Sequence, residues 1–256
     1  MQQGNFFWYE LMATDTKAAA KFYSDVVGWT VQDTGNPHMD YSIFNLGERG
    51  IAGLMGLPED YAKMGGRPAW MGYILVDDVD AMTARIQAEG GKLHKAPITI
   101  PGIIRFAVVA DPQGAGFLIA TPLSDANPPP LVPGAPGTIG WHELFAVDAA
   151  SVFAFYEKLF GWTKDQALDM GPMGTYQLFK TGGQYAAGGM MTKPPHIPVA
   201  FWGYYFNVDA LDVAATRVTA GGGKILNGPM EVPGPMYVVN CMDPQGAAFS
   251  LVAPKR

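Results

Sequence analysis

A stretch near the start of the chain is written out again in its second half. It reads Trp8-Tyr9-Glu10-Leu11-Met12-Ala13-Thr14-Asp15, followed by Phe22-Tyr23 and Gly28-Trp29. It returns as Trp141-His142-Glu143-Leu144-Phe145-Ala146-Val147-Asp148, followed by Phe155-Tyr156 and Gly161-Trp162. Trp, Glu, Leu, Asp, Phe-Tyr and Gly-Trp all recur at one constant displacement, and shared composition does not produce so many matches in a single register. The chain is a tandem duplication. With 256 residues, each half is long enough to bury its own core.

The duplicated stretch has a local reading. Phe6 to Ala13 is aromatic, apolar and too short for a helix, so it reads as a strand. Asp15 then reads as an N-cap, because its carboxylate can accept from the orphan amides of the next turn. Behind it Ala19, Phe22, Tyr23, Val26 and Val27 fall at helical spacing up to Gly28. In the copy, Asp148 is the cap, the stripe is Val152, Phe155, Tyr156, Leu159 and Phe160, and Gly161 is the stop. Short apolar runs follow in both halves and read as strands. A second strand and helix come next: Trp70 to Val76 with Asp77 or Asp78 as cap, and Trp202 to Val208 with Asp209. Each half closes with two strands around a turn, Asp111-Pro112-Gln113-Gly114 or Asp243-Pro244-Gln245-Gly246, in which Pro second and Gly fourth suit a tight reversal. Residues 124–136 carry Asn-Pro-Pro-Pro and two further prolines, which suits a semi-rigid spacer. The expected division is 1–123, a linker at 124–136, and 137–256.

Composition excludes several classes. Hydrophobic residues at 48% and charged residues at 16% are wrong for a disordered chain. Net charge is −6, with Lys and Arg scattered, so no nucleic-acid surface is visible. No apolar run spans a bilayer and no basic region precedes an apolar one, so neither a membrane nor a secretory signal is expected, and a cytoplasmic protein is. Cys241 is the only cysteine and cannot form an intrachain disulfide; a buried strand cysteine is expected.

Four strand-helix-strands units, an Asp before a helix that carries Phe-Tyr and ends Gly-Trp, and Asp-Pro-Gln-Gly before the last strand resemble the vicinal oxygen chelate superfamily. This is the family of glyoxalase I, extradiol dioxygenases and bleomycin-binding proteins. The resemblance covers nearly the whole chain and implies an α+β fold of tandem glyoxalase-like domains. Each would have two βαβββ modules forming a cup-shaped mixed sheet with helices outside. Family metal ligands, carried over by the motifs, would fall at Trp8 and Trp141, at about Met71 and Gly203, at Leu118 and Ser250, and near Gly53 and Gly188. None of these is His, Glu, Asp or Cys, so no metal and no other cofactor is expected. His38, His94 and His196 are scattered. His142 alone lies in the repeat, where its counterpart is Tyr9, and strand alternation points it away from Trp141 and Glu143; a hydrogen-bonded structural histidine is expected.

The same alternation leaves Glu10 beside Trp8 and Glu143 beside Trp141, on the face where ligands would have been. A carboxylate on an apolar inner face is costly unless paired, and desolvation would raise its pKa. Two readings stay open. Glu143 and Glu10 are either general bases or ligand-binding groups, or they belong to satisfied structural pairs, with Arg105, a tyrosine or backbone amides as partners. Ligand-binding candidates are Trp8, Trp141, Tyr73, Tyr205, Asn207, Ser250, Leu118, Arg105 and Tyr237, with the facing of Tyr41, Tyr176, Arg105 and Tyr237 unfixed. One cup would hold Glu10, Leu118 and Leu75, the other Glu143, Ser250 and Asn207, and the second, more polar, is the expected active one. The expected function is metal-independent binding of a small organic molecule in aromatic-lined cups, with lyase or isomerase-type proton transfer. A bleomycin-resistance-like sequestering protein is the alternative, and a metal-dependent glyoxalase or dioxygenase is disfavoured. Monomer and homodimer both remain open.

Overall fold

The computed structural model describes residues 2–36, 40–124 and 131–256. His38 and residues 125–130 of the expected spacer lie outside them. The first half runs β1 (Phe6–Ala13), α1 (Thr16–Val27), β2 (Thr30–Asp33), β3 (Tyr41–Leu46), β4 (Arg49–Gly56), α2 (Glu59–Lys63), β5 (Ala69–Leu75), α3 (Val79–Ala88), β6 (Lys92–Ile100), β7 (Ile104–Ala110) and β8 (Gly116–Pro122). The second runs β9 (Ile139–Ala146), α4 (Ala149–Phe160), β10 (Thr163–Asp169), β11 (Thr175–Lys180), β12 (Gly188–Thr192), β13 (Phe201–Asn207), α5 (Leu211–Ala220), β14 (Lys224–Val232), β15 (Met236–Met242) and β16 (Ala248–Ala253). The class is mixed α+β with curled sheets and helices.

The chain divides into two compact units, and they cut across the duplication. The first unit is Met1–Phe7, Met71–Asn127 and Trp141–Gly203; the second is Trp8–Trp70, Pro128–Gly140 and Tyr204–Arg256. Each therefore combines a module from one half with a module from the other. The first contains the strand runs β5-β8-β7-β6 and β10-β11-β12-β9, the second β2-β3-β4-β1 and β13-β16-β15-β14. Within each module the first strand pairs parallel with the last, as in Glu10 opposite Gly53, Glu143 opposite Gly189, Tyr73 opposite Leu118 and Tyr205 opposite Ser250.

The repeated residues explain why these elements form. Asp15 accepts from the Ala18 amide at 2.9 Å, and Asp148 from Ala150 at 3.1 Å, so both helices start where a carboxylate meets orphan donors. Gly28 and Gly161 close them at φ 90° and 69°, a left-handed conformation that favours glycine. The buried stripes then close over aromatic clusters: Tyr23, Trp29, Phe44, Trp70, Phe206 and Phe249 in the second unit, and Phe117, Tyr156, Phe160, Trp162, Phe179 and Trp202 in the first.

The Asp-Pro-Gln-Gly turns join modules of different halves. In the second unit Asp243 Oδ1 accepts from the amides of Gln245 and Ala247, both at 2.9 Å, while Oδ2 accepts from the Tyr23 hydroxyl at 3.1 Å. That hydroxyl in turn takes the Trp70 indole N–H at 2.8 Å. The first unit repeats this with Asp111, Tyr156 and Trp202 at 3.0 and 3.0 Å. Gln245 accepts from the Asp15 amide and donates to its carbonyl, both at 2.8 Å, and Gln113 does the same at Asp148. The motifs that mark the repeat thus form the joint inside each unit.

One local reading is resolved and another changes. Of the two candidates, Asp78 caps α3. Asp209 caps nothing: Ala210 holds the cap position of α5, and the Lys255 carbonyl takes the Leu211 amide at 3.1 Å, so no side-chain acceptor is needed there. The outer strands β2, β6, β10 and β14 had no counterpart among the apolar runs, because β2 is exposed throughout and β10 nearly so.

Candidate functional site

Alternation along β1 sets Trp8 and Glu10 on one face, and the parallel register places Gly53 of β4 beside Glu10. Tyr41 of β3 lies across both. Its hydroxyl donates to Glu10 Oε2 at 3.1 Å and is also hydrogen-bonded by the Trp8 side chain. Glycine at position 53 is a steric requirement, since a Cβ there would overlap the Tyr41 hydroxyl and lie 3.2 Å from Glu10 Oε2. Burial, and next the Glu10 charge, hold the Tyr41 phenol above its ordinary range, so it keeps its proton and acts as donor.

The copy in the first unit has the same parts. The Trp141 indole donates to the Tyr176 hydroxyl at 2.9 Å, the Tyr176 ring lies where a Cβ on Gly189 would collide with it, and Gly189 stands opposite Glu143. The glycine equivalent to Gly53 is therefore Gly189, one residue beyond the Gly188 carried over from the family pattern. Glu143 is buried and Glu10 half-buried.

The remaining candidates are distributed as follows. In the second unit Asn240 donates to Ser250 Oγ at 2.8 Å and to the Tyr205 hydroxyl at 3.3 Å, forming a polar cluster on β13, β15 and β16. Asn207 is tied to Thr138 Oγ1 at 2.9 Å and to its carbonyl at 3.2 Å, a structural role at the chain's re-entry to the sheet. In the first unit Tyr73 is buried opposite Leu118, with Phe7 and Phe106 ring centroids 6.4 and 6.3 Å away. The structure places Arg105 and Tyr237 away from these clusters. Arg105 binds Asp80 of α3 in bidentate fashion at 2.7 Å and Thr99 at 2.6 Å, on the strand face opposite Phe106. Tyr237 shares its face with Val239 and Cys241, opposite Asn240. Glu10 and Glu143 lie in different units, and each expected cup draws residues from both units.

His142 is buried, its Nδ1 2.8 Å from the Ala187 carbonyl and its ring stacked on Phe6 at 4.2 Å. Desolvation pushes its pKa down to about 4, so it is neutral at pH 7. Burial pushes the Cys241 thiol up to about 12, well outside the range of a nucleophilic cysteine. His94 and His196 are exposed. Among the described residues no three His, Cys, Asp or Glu side chains converge in a way that could hold a metal ion, and the residues present at the family's ligand positions do not fit one. Sequence reasoning missed Asn240 and left the facing of Tyr41 and Tyr176 open, because the bulges in these sheets hide it.

A sequence model of the Glyoxalase/Bleomycin resistance protein/Dioxygenase superfamily matches residues 5–119 and again 138–251. CFP32 of Mycobacterium tuberculosis (strain CDC 1551 / Oshkosh), whose name carries a provisional glyoxylase assignment, is 32% identical over 257 residues, covering 99% of this chain and 96% of CFP32. The anthracycline biosynthesis protein DauV of Streptomyces sp. (strain C5) is 29% identical, covering 96% of this chain and 91% of DauV. The Mn(II)-bound glyoxalase of Novosphingobium aromaticivorans has the same fold, with a TM-score of 0.69 at 18% identity, covering 99% of this chain and 83% of that one. Among the described residues no helix is long and apolar enough to cross a membrane.

Proposed function

Because the chain belongs to the Glyoxalase/Bleomycin resistance protein/Dioxygenase superfamily, we propose that it binds a small organic molecule against its Trp-Tyr-Glu faces, without a metal ion, and that Glu143 and Glu10 transfer a proton in a lyase or isomerase type of reaction. The observation that carries this is the Tyr41 hydroxyl 3.1 Å from Glu10 Oε2, itself held by Trp8, with Trp141 and Tyr176 repeating the arrangement beside Glu143. The Tyr41 bond to Oε2 orients the carboxylate, and a carboxylate held in one orientation is the kind of group that serves as a general base. Tyr41 holds its own proton too strongly to act as the base. Its part is to aim the carboxylate. Large aromatic groups on the same faces would exclude water and strengthen that contact.

The ligand is identified by native mass spectrometry of protein purified from its own host, followed by incubation of that compound with the protein. We expect product from the wild type and at least a hundredfold loss of turnover with retained affinity in Glu143→Gln, the range typical of losing a general base. Unchanged turnover in both Glu143→Gln and Glu10→Gln removes the carboxylates from the reaction. Tight binding with no product from any bound compound supports the sequestering alternative. Near-stoichiometric divalent metal in the purified protein overturns the metal-independent reading.

A further inference from the structure

Asparagine is followed by glycine once in the chain, at Asn227-Gly228 in β14. The pairing of β14 with β15 breaks on either side of Asn227. Ile225 stands opposite Cys241, Asn227 opposite Asn240 and Met230 opposite Val238, so Gly228 and Pro229 fall outside the register. Gly228 lies at φ 92°, a left-handed value outside the strand range that glycine alone takes readily. Both Asn227 and Gly228 are exposed, and among the described residues the Asn227 side chain has no hydrogen-bond partner. The first half breaks its register at the matching place, where it reads Lys95-Ala96-Pro97, and Ala96 has no positive φ. The register break is common to both halves; the Asn-Gly pair belongs to the second.

We propose that Asn227 is a self-modification site, at which the folded chain converts asparagine to aspartate and isoaspartate by way of a succinimide. The Gly228 backbone nitrogen gives up its proton and bonds to Cγ of Asn227, while the Cγ–Nδ2 bond breaks and Nδ2 leaves as ammonia. Water then opens the five-membered ring, at Cγ to give aspartate or at the Asn227 carbonyl carbon to give isoaspartate. One amide and one water become one carboxylate and one ammonium ion, with no oxidant or reductant. A regular strand opposes the first step, because its ladder of hydrogen bonds holds the backbone extended. A bulge leaves its extra residue unpaired and the ladder locally disrupted. Glycine at 228 also puts no Cβ beside the attacking nitrogen. The other asparagines lack this combination: Asn36 and Asn127 precede proline, which has no N–H to attack, and Asn45, Asn207 and Asn240 precede larger residues and are held by side-chain hydrogen bonds. The new carboxylate stands opposite Asn240, whose amide serves Ser250 and Tyr205, so the change places negative charge across from the polar cluster of the second unit.

The test is incubation of the full-length native protein at pH 7 and pH 9, followed by isoelectric focusing and peptide mass mapping. We expect a single new acidic species, one charge unit below the starting −6, with the change confined to the peptide that carries Asn227. Part of that peptide should be labelled by an isoaspartyl methyltransferase. The rate should rise at least about tenfold from pH 7 to pH 9, since the deprotonated fraction of a group far below its pKa grows with pH. Asn227→Lys, which installs the first half's residue, should give no acidic species, and Asn227→Asp should focus with it from the start. Gly228→Ala should slow the conversion, but a Cβ there meets the Val238 carbonyl at 2.8 Å, so the Asn227 variants carry the test. Native protein that stays unmodified at pH 9 overturns the proposal, and conversion of Asn227 in urea alone would assign that protection to the strand. An acidic species that persists in Asn227→Lys overturns it equally.

Discussion

Gly53 and Gly189 show how much a single missing side chain decides. Each lies under a tyrosine whose hydroxyl serves the neighbouring Trp-x-Glu strand, so Gly53→Ala forces Tyr41 off Glu10. We expect it to cost about 1–3 kcal/mol in urea denaturation, the usual price of overpacking, while Gly56→Ala, with nothing within 4 Å of its Cβ, stays near neutral. His142 supplies a pH signature. Its ordinary pKa of 6.5 falls to about 4 in the fold, so below 6.5 the unfolded chain takes up a proton that the folded chain refuses. The stability it provides is therefore present above about pH 6.5 and is lost as pH falls to about 4, on the order of 3 kcal/mol over the whole window. Asp111 and Asp243, raised by burial, contribute with the opposite sign. Denaturation of wild type and of His142→Tyr, the first half's residue, at pH 7 and pH 5 isolates the histidine: the variant should lose less stability between the two. The alternation of a strand made the opposed facings of Glu143 and His142 readable from the residues alone. The partners were not, because Ala187 and Phe6 reach His142, as Tyr41 reaches Glu10, only through pairing and packing.

At the scale of elements, the helices and inner strands declare themselves because one of their faces is buried and their caps are local. The Asp-x-x cap and the closing glycine of α1 and α4 need no knowledge of the rest of the molecule. Strand β2 declares nothing, since all four of its side chains are exposed and no apolar period survives. Asp209 misleads for the related reason that a distant carbonyl, that of Lys255, has already met the helix's first amide. The turns carry a prediction of their own. Asp243→Ala leaves two amides and the Tyr23 hydroxyl without their acceptor in a buried place and should cost about 3 kcal/mol or more in chemical denaturation. Gln245→Ala removes three bonds, to Thr14 and to the Asp15 amide and carbonyl, at an exposed site and should cost about 1 kcal/mol.

At the scale of the whole molecule, each compact unit is built from both halves of the chain, so the peptide between the halves is not what holds them together. A protease site inserted after Val132, which is 70% exposed, should allow cleavage into two fragments that still co-elute in gel filtration and part only in denaturant. Separate elution under native conditions would contradict the exchange of modules between halves. The duplication, the order of the helices and inner strands within a module, and the absence of metal-ligating residues at the family's positions all follow from the sequence by itself, because repetition, periodicity and donor chemistry are properties of residues taken in order. The Trp-x-Glu stretch with which the chain begins marked the repeat and put a carboxylate beside a tryptophan. Only the tertiary structure decided that a tyrosine two strands away holds that carboxylate over a glycine, and that the Asp-Pro-Gln-Gly turn of one half locks the Phe-Tyr helix of the other. Both depend on residues 31 to 230 positions apart in the chain, whose meeting is set by sheet register and core packing rather than by any local preference.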